Sequence, residues 1–136
     1  MVKTKDIRNV ALLGHGGSGK TSLLEAALYL TKGTDRLGKT TDGTTVSDYD
    51  PEEVKRGFSI SASLAPVYMG DKKTNFIDTP GFFDFEAEAR QCVRAADAAI
   101  IVVDGKAGIE VGTESAWNMA TDAGIPKAFF INRFDD

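Results

Sequence analysis

The sequence lacks the features that mark secreted, membrane-spanning and nucleic-acid-coating proteins. It has one cysteine, so no intramolecular disulfide can form. No apolar run approaches the roughly 18 residues that a membrane-spanning helix needs, and the apolar run near the N-terminus is too short for a signal peptide. A net charge of −4 argues against a surface that coats nucleic acid. These absences predict a cytoplasmic protein, with no membrane and no sequence-specific nucleic acid among its direct partners.

The length and composition are those of one globular domain. With 136 residues, of which 42% are hydrophobic, the chain can bury a modest core. We therefore predict a single domain over residues 1–136.

Strand-like and helix-like segments alternate along the chain. The continuous apolar run Ala98–Val103 is typical of a central parallel strand that is buried on both faces. Gly70 and Asp71 separate two strand-like segments and predict a hairpin. The alternation predicts an α/β fold with a doubly wound, mostly parallel sheet and one antiparallel edge strand. The predicted strands are Arg8–Leu13, Ser59–Met69, Thr74–Ile77, Ala98–Val103 and a buried Lys127–Asn132, and the predicted helices are Lys20–Leu30, Phe85–Ala96 and Thr113–Ala123.

Residues 31–58 show no persistent periodicity. A structureless stretch of this length is unusual in a compact domain and is usually functional or disordered. Its last part, from Asp48 to Arg56, is a run of mixed charges that predicts a solvated face. Outside this stretch, Trp117 is predicted to pack in the core, and the single histidine to have a structural role.

A glycine-rich segment follows the first predicted strand and opens the first predicted helix. It fits G-x-x-x-x-G-K-[ST], the phosphate-binding P-loop, in which backbone N–H groups and a helix N-terminus surround an anion. The lysine would reach the β- and γ-phosphates, and the threonine hydroxyl would bind Mg²⁺. A glycine-rich turn with a chance Lys-Thr pair is the alternative. The predicted nucleotide-binding residues of this segment are Gly14, His15, Gly16, Gly17, Ser18, Gly19, Lys20, Thr21 and Ser22.

Two further motifs follow predicted strands. Asp78-Thr79-Pro80-Gly81 places an aspartate where P-loop hydrolases contact the Mg²⁺ shell, and the Gly81 N–H can approach a γ-phosphate without a side chain in the way. Asn132-Arg133-Phe134-Asp135 resembles N-K-x-D, the guanine-reading motif. A carboxylate on Asp135 can accept hydrogen bonds from N1–H and the exocyclic amine of guanine, whereas adenine does not offer these two donors. We predict that Asn132, Arg133 and Asp135 bind the base.

With these motifs the chain resembles the N-terminal GTPase domain of the translational GTPases, and among them elongation factor G and its ribosomal-protection relatives. Additional segments carry the resemblance. Residues 56–60 read R-G-F-S-I, similar to the family's R-G-I-T-I; residues 78–85 read D-T-P-G-F-F-D-F, similar to D-T-P-G-H-V-D-F; and residues 113–117 read T-E-S-A-W, similar to T-E-x-x-W.

The resemblance implies a fold, a chemistry and partners. It implies a P-loop NTPase G domain that binds GTP or GDP with Mg²⁺, and the ribosome as partner of the full-length factor. It implies Thr21, Ser59 and Asp78 as the metal site, with Ser59 where the family has a threonine. Lys20 and Gly81 are the implied catalytic residues. Residues 31–58 would form the first switch, and residues from 78 to about 89 the second.

Three residues depart from the family pattern. Phe82 stands where the family has the histidine that orients the attacking water, and a phenylalanine can neither donate nor accept a hydrogen bond. Gly17 stands where family P-loops usually carry an aspartate that helps to hold a monovalent cation. Arg133 replaces the usual lysine, whose apolar stem packs over the base.

The chain also ends at Asp136, before the family's S-A-[KL] loop and its last strand and helix. This predicts a G domain that is incomplete at its C-terminus. Its last strand would then carry an exposed edge or apolar face, through which the chain would self-associate.

The leading expectation is a guanine-nucleotide-binding switch domain that hydrolyses GTP slowly in isolation. The alternatives are a GTP- and GDP-binding module without significant hydrolysis, favoured by Phe82, an adenine-nucleotide P-loop ATPase, and a folded fragment that binds nothing well.

Overall fold

The structure is a computed structural model that describes residues 2–47, 50–56, 58–82 and 86–134. Short 3₁₀ turns occupy Thr4–Asp6 and Thr40–Asp42. The strands are β1 (Ile7–Leu13), β2 (Ser63–Met69), β3 (Lys72–Asp78), β4 (Ala98–Asp104) and β5 (Lys127–Asn132), and the helices are α1 (Lys20–Leu30), α2 (Pro51–Arg56), α3 (Glu86–Arg94) and α4 (Val111–Asp122).

The strands form one sheet in the order β2-β3-β1-β4-β5. Strand β1 lies parallel to both β3 and β4, β4 lies parallel to β5, and β2 pairs with β3 in the antiparallel sense. This arrangement confirms the predicted mostly parallel sheet with one antiparallel edge strand.

Helices cover both faces of the sheet. On one face, α1 packs against β1 and β2. In β2, the buried residues Ala65 and Val67 alternate with exposed residues, because successive side chains of a strand point to opposite faces. On the other face, α3 and α4 pack against β1 and β4, and β4 is buried along most of its length, as its apolar run predicted. The fully buried anchors of the two layers are Leu12 and Leu24 on the first face, and Leu13, Ile101 and Ala120 on the second.

Two predicted strands need correction. Strand β2 begins at Ser63, not at Ser59, because the backbone N–H groups of residues 60–62 are bound by carboxylates and not by a neighbouring strand. Strand β5 is at the edge of the sheet, so it is not buried as predicted: the side chains of Phe129 and Ile131 are each 56% exposed.

Candidate functional site

The carboxyl ends of the parallel strands meet at one edge of the sheet. Strand β1 leads directly into the P-loop, and β3, β4 and β5 end at Asp78, Asp104 and Asn132. After β1 the chain forms β2 and β3 on one side of β1, and then β4 and β5 on the other side. The end of β1 is therefore a topological switch point, where ligands bind in open α/β sheets.

The P-loop has a backbone that depends on its glycines. Gly14 and Gly19 have φ angles of 139° and 99°, which side chains rarely adopt. A methyl group on Gly14 would collide with the carbonyl oxygen of Val102, and one on Gly19 with the amide of Asn132. The loop therefore lies tight against β4 and the end of β5, with α1 starting at Lys20.

Lys20, the first residue of α1, is buried, and its side chain lies against this loop. Its Nζ donates to the carbonyl oxygens of Gly14 and His15, at 3.1 and 2.9 Å. Burial lowers the pKa of Lys20 to about 8, and the Asp78 carboxylate offsets part of that shift. A methyl group on Gly81 would collide with Nζ, so the loop after β3 approaches the lysine through a residue without a side chain. The structure thus brings both predicted catalytic residues together.

Thr21, Ser59 and Asp78, the predicted metal-binding residues, also meet. The Thr21 hydroxyl donates to Oδ2 of Asp78 at 2.6 Å and lies 3.3 Å from the Ser59 hydroxyl. One carboxylate and two hydroxyls are hard oxygen donors, which suit Mg²⁺ that keeps several waters and phosphate oxygens as further ligands. The donor set therefore fits the implied ion. Among the described residues, no group of three or more His, Cys, Asp or Glu side chains forms a competing metal site.

An open cleft of about 670 Å³ lies between the P-loop and the loops that follow α2 and β3. In the P-loop beside this cleft, the hydroxyl of Ser18 is buried and has no hydrogen-bond partner among the described residues. An unsatisfied hydroxyl inside a P-loop fits a site that receives an anion. The lining residues are Gly16, Gly17, Gly19, Lys20, Thr21, Ser22, Thr40, Phe58, Ser59, Thr79, Gly81, Phe82 and Arg133.

Phe82 forms an apolar wall of the cleft. Its ring packs against Phe58, with centroids 4.5 Å apart and planes tilted by 54°. It also lies over Gly16, where an added methyl group would come within 2.8 Å of the ring. The position that carries a histidine in the resembled family is thus part of an aromatic cluster in this chain.

The end of β5 contacts the P-loop, as the predicted base-binding motif requires. The Asn132 side chain donates to the Ser18 carbonyl oxygen at 3.0 Å. Arg133 donates to Oδ2 of Asp104 at 2.7 Å. Asp135 lies outside the described residues.

No sequence motif marked Asp104, the last residue of β4, as part of the site. The backbone N–H groups of Lys106 and Ala107, and then the Arg133 guanidinium, hold its pKa below the usual range. Asp104 therefore stays ionised and orients Arg133 at the mouth of the cleft.

His15 links the P-loop to α4. Its Nδ1 accepts a hydrogen bond from the N–H of Gly112 at 3.3 Å, and its Nε2 lies 3.5 Å from Oε1 of Glu110. This contact is the structural role that was predicted for the histidine.

Trp117 is not in the core as predicted. It is 44% exposed and stacks on Phe129 at 5.6 Å, with the Lys127 ammonium 4.4 Å from its ring centroid. The helical spacing on α4 instead buries its small residues, Ala116 and Ala120, against the sheet.

None of the helices in the described part of the chain is both long and apolar enough to cross a membrane.

Comparison with known proteins agrees with the fold. Residues 5–136 match the family described as the Elongation factor Tu GTP binding domain. Over 95% of its own residues, this chain is 40% identical to elongation factor G of Dehalococcoides mccartyi. Over the same share of its residues it is 41% identical to elongation factor G 2 of Streptomyces coelicolor. A crystal structure of a Thermus thermophilus protein superposes with a TM-score of 0.90 and 42% identity over 92% of the chain.

The match covers 19% of the length of each of these three proteins, so the chain spans about a fifth of its relatives. A crystal structure of a bacterial selenocysteine-specific elongation factor is also similar, with a TM-score of 0.71 and 30% identity. The chain belongs to the family of the elongation factor Tu GTP-binding domain, and it is similar to the G domain of elongation factor G.

Proposed function

We propose that this domain binds GTP and GDP with Mg²⁺ and hydrolyses GTP to GDP and phosphate, slowly in isolation. The observation that carries the proposal is that Lys20, Thr21, Ser59 and Gly81 line one cleft at the carboxyl ends of β1 and β3, with Asp78 hydrogen-bonded to Thr21 behind it.

The P-loop would bind the phosphates. Its backbone N–H groups and the N-terminus of α1 supply positive potential, and Lys20 adds a full charge. The Nζ of Lys20 now donates to the carbonyl oxygens of Gly14 and His15, so charged phosphate oxygens would replace neutral acceptors. The N–H of Gly81 would donate to the γ-phosphate.

The three oxygen donors described above, on Thr21, Ser59 and Asp78, would hold Mg²⁺. When bound, the ion neutralises charge on the β- and γ-phosphate oxygens. Ser59 belongs to the loop before β2 and Gly81 to the loop after β3. Both loops would therefore sense whether a γ-phosphate is present.

Hydrolysis needs a water that attacks the γ-phosphorus in line with the bond to the β–γ bridging oxygen, which leaves with GDP. In this chain the ring of Phe82 stands beside Gly16 and Phe58 and has no atom that could orient that water. We therefore propose slow turnover, sustained by Lys20 and the P-loop amides. The second candidate is binding of GTP and GDP without hydrolysis, which the Phe82–Phe58 contact favours.

Asn132, Arg133 and Asp135 are proposed to select guanine. Asn132 supports the proposal because its amide is already bound to the P-loop, which fixes the end of β5 beside the phosphate site. For a full-length factor with this domain we propose the ribosome as partner, since the similar proteins include elongation factors.

Calorimetry with Mg²⁺ tests the binding step. We expect GDP to bind and ADP to bind much more weakly, and Asp135→Ala to remove the difference. Equal binding of both nucleotides would contradict the guanine assignment. No binding of either by a folded sample would contradict the function of this chain as proposed.

Product analysis with radiolabelled GTP tests the hydrolysis step. We expect a slow rate for the native chain, little change in Phe82→Ala, and a faster rate in Phe82→His. Phe130→Ala is the matched control, because Phe130 is as exposed as Phe82, at 40%, but lies on β5 away from the cleft. A rate of zero in the native chain after long incubation would select the binding-only candidate.

We propose separately that this chain self-associates through the exposed strand β5. Its outer edge has no strand partner among the described residues, and Phe129 and Phe130 are exposed on it. Sedimentation should detect concentration-dependent dimers that Phe130→Lys weakens. A monomer at high concentration would refute this proposal.

A further inference from the structure

Glu53 is a buried carboxylate in a segment that the sequence predicted to be solvated. It lies in the six-residue helix α2 and is 4% exposed. Its neighbours on the same helix do face solvent: Glu52 and Arg56 pair with each other at 2.7 Å, with both side chains about half exposed. Burying one carboxylate of a charged run costs free energy unless the carboxylate is hydrogen-bonded.

The Glu53 carboxylate is satisfied by backbone donors. Its Oε1 accepts from the N–H groups of Ile60 and Ser61, at 2.9 and 3.0 Å. Its Oε2 accepts from the N–H of Asp50 at 3.4 Å, just before α2. Hydrogen bonds to an ionised acceptor are stronger than neutral ones, so Glu53 fixes the backbone directly after Ser59.

The two residues that Glu53 binds follow Ser59 in the chain. The Ser59 hydroxyl lies 3.3 Å from the Thr21 hydroxyl, at the proposed Mg²⁺ site. A second carboxylate continues the pattern, because Oε1 of Glu88 on α3 accepts from the N–H of Ala62 at 3.3 Å. The segment 60–62 is therefore bound by side chains from two helices, and Glu53 holds the end nearest to Ser59.

We propose that Glu53 is the positioning residue for Ser59: by binding the N–H groups of Ile60 and Ser61 it holds the Ser59 hydroxyl at the metal site. This inference rests on the proposed function, since it assigns Glu53 to the same Mg²⁺ site. The effect should be confined to the triphosphate state if Ser59 is a ligand only when the γ-phosphate is present, as the family resemblance implies for this position.

Amide hydrogen exchange on the nucleotide-free chain tests the placement of Glu53 without any ligand. We expect faster exchange at Ile60 and Ser61 in Glu53→Ala, a smaller acceleration in Glu53→Gln, which keeps one acceptor oxygen, and none in the control Glu52→Gln. Unchanged exchange at both amides in Glu53→Ala, with the fold intact by circular dichroism, would overturn the inference.

Mg²⁺ titrations test the consequence for the site. In the presence of guanylyl imidodiphosphate, a non-hydrolysable GTP analogue, we expect the half-saturating Mg²⁺ concentration to rise about tenfold in Glu53→Ala, the size typical for loss of an outer-shell partner. With GDP we expect no change. Glu53→Gln should recover part of the loss, whereas a merely structural role would weaken both nucleotides alike.

A double-variant cycle tests whether Glu53 affects Mg²⁺ binding through Ser59. In a Ser59→Ala background, Glu53→Ala should have no further effect on the Mg²⁺ dependence, because the group that Glu53 positions is gone. Additive effects, or an equal loss with GDP, would overturn the inference. If the unmodified chain binds neither nucleotide, the proposed function and the metal-site role of Glu53 fail together, while the exchange experiment still decides separately whether Glu53 orders residues 60 and 61.

Discussion

Lys20 should make the stability of the nucleotide-free domain rise at alkaline pH. Its side chain is 6% exposed, and its nearest acceptors are two neutral carbonyl oxygens of the P-loop. Burial lowers its pKa from 10.5 to about 8, although the Asp78 carboxylate acts in the opposite direction. The folded chain therefore releases this proton more easily than the unfolded chain does.

The sign and size of the effect follow from proton linkage. Below pH 8 both states hold the proton, and the burial of the charge lowers stability by a constant amount. Between pH 8 and 10.5 the unfolded state binds more protons than the folded state, so the free energy of unfolding rises with pH. At about 1.4 kcal/mol for each unit of pKa difference, the rise amounts to about 3 kcal/mol.

Urea denaturation of the nucleotide-free chain between about pH 7.5 and about pH 10.5 measures this rise, with Lys20→Met as reference to remove the titration of other groups. We expect the stability of the native chain, relative to Lys20→Met, to increase by about 3 kcal/mol across that range. With Mg²⁺ and GDP bound, the increase should shrink, because phosphate oxygens would stabilise the charged amine. A pH-independent difference between the two chains would refute the reasoning.

Three other substitutions probe contacts at the same end of the sheet. Gly81→Ala places a methyl group against the Lys20 ammonium. Because overpacking costs about 1–3 kcal/mol, we expect the GTP analogue to bind about tenfold more weakly in calorimetry. Unchanged affinity would contradict the close approach of Gly81 to Lys20. Thr79→Val removes a buried hydroxyl that donates to the Leu12 carbonyl oxygen at 2.6 Å, and should lower stability to urea by about 1–3 kcal/mol, whereas Thr79→Ser should keep it. Asn132→Ala breaks the contact from β5 to the P-loop, and should cost about 1 kcal/mol in the same assay; a neutral result would mean that this contact does not hold the loop.

Most of the fold could be predicted because local sequence and tertiary structure agree. The helix that follows the P-loop runs from Lys20 to Leu30, as predicted, and β4 was recognisable from its unbroken apolar run. The hairpin of β2 and β3 followed from Gly70 and Asp71, which form its turn.

The errors arose where the exposure of a residue depends on a distant element. An apolar strand has the same sequence pattern whether it lies at the centre or at the edge of a sheet, so the sequence of β5 could not reveal its position in the sheet. Trp117 was predicted to pack in the core as a large apolar side chain, yet the small residues of α4 face the sheet and leave the indole outside, against Phe129. Glu53 was assigned to a solvated face because it lies in a run of mixed charges. Its two backbone partners, Ile60 and Ser61, follow seven and eight residues later, in a segment that was predicted to pair as a strand.

The P-loop and the loop after β3 also fit each other at Gly16 and Phe82. Since a methyl group at Gly16 would lie only 2.8 Å from the Phe82 ring, the ring can occupy this place because Gly16 has no side chain. Phe58 completes the cluster from the loop before β2. Phe82 is thus more than the loss of a hydrogen-bonding group: it fills space beside the P-loop and joins the two loops that would respond to the γ-phosphate. For this reason the two variants test different properties of position 82. Phe82→Ala tests the effect of the space that the ring fills, and Phe82→His tests the effect of the missing hydrogen bond to water.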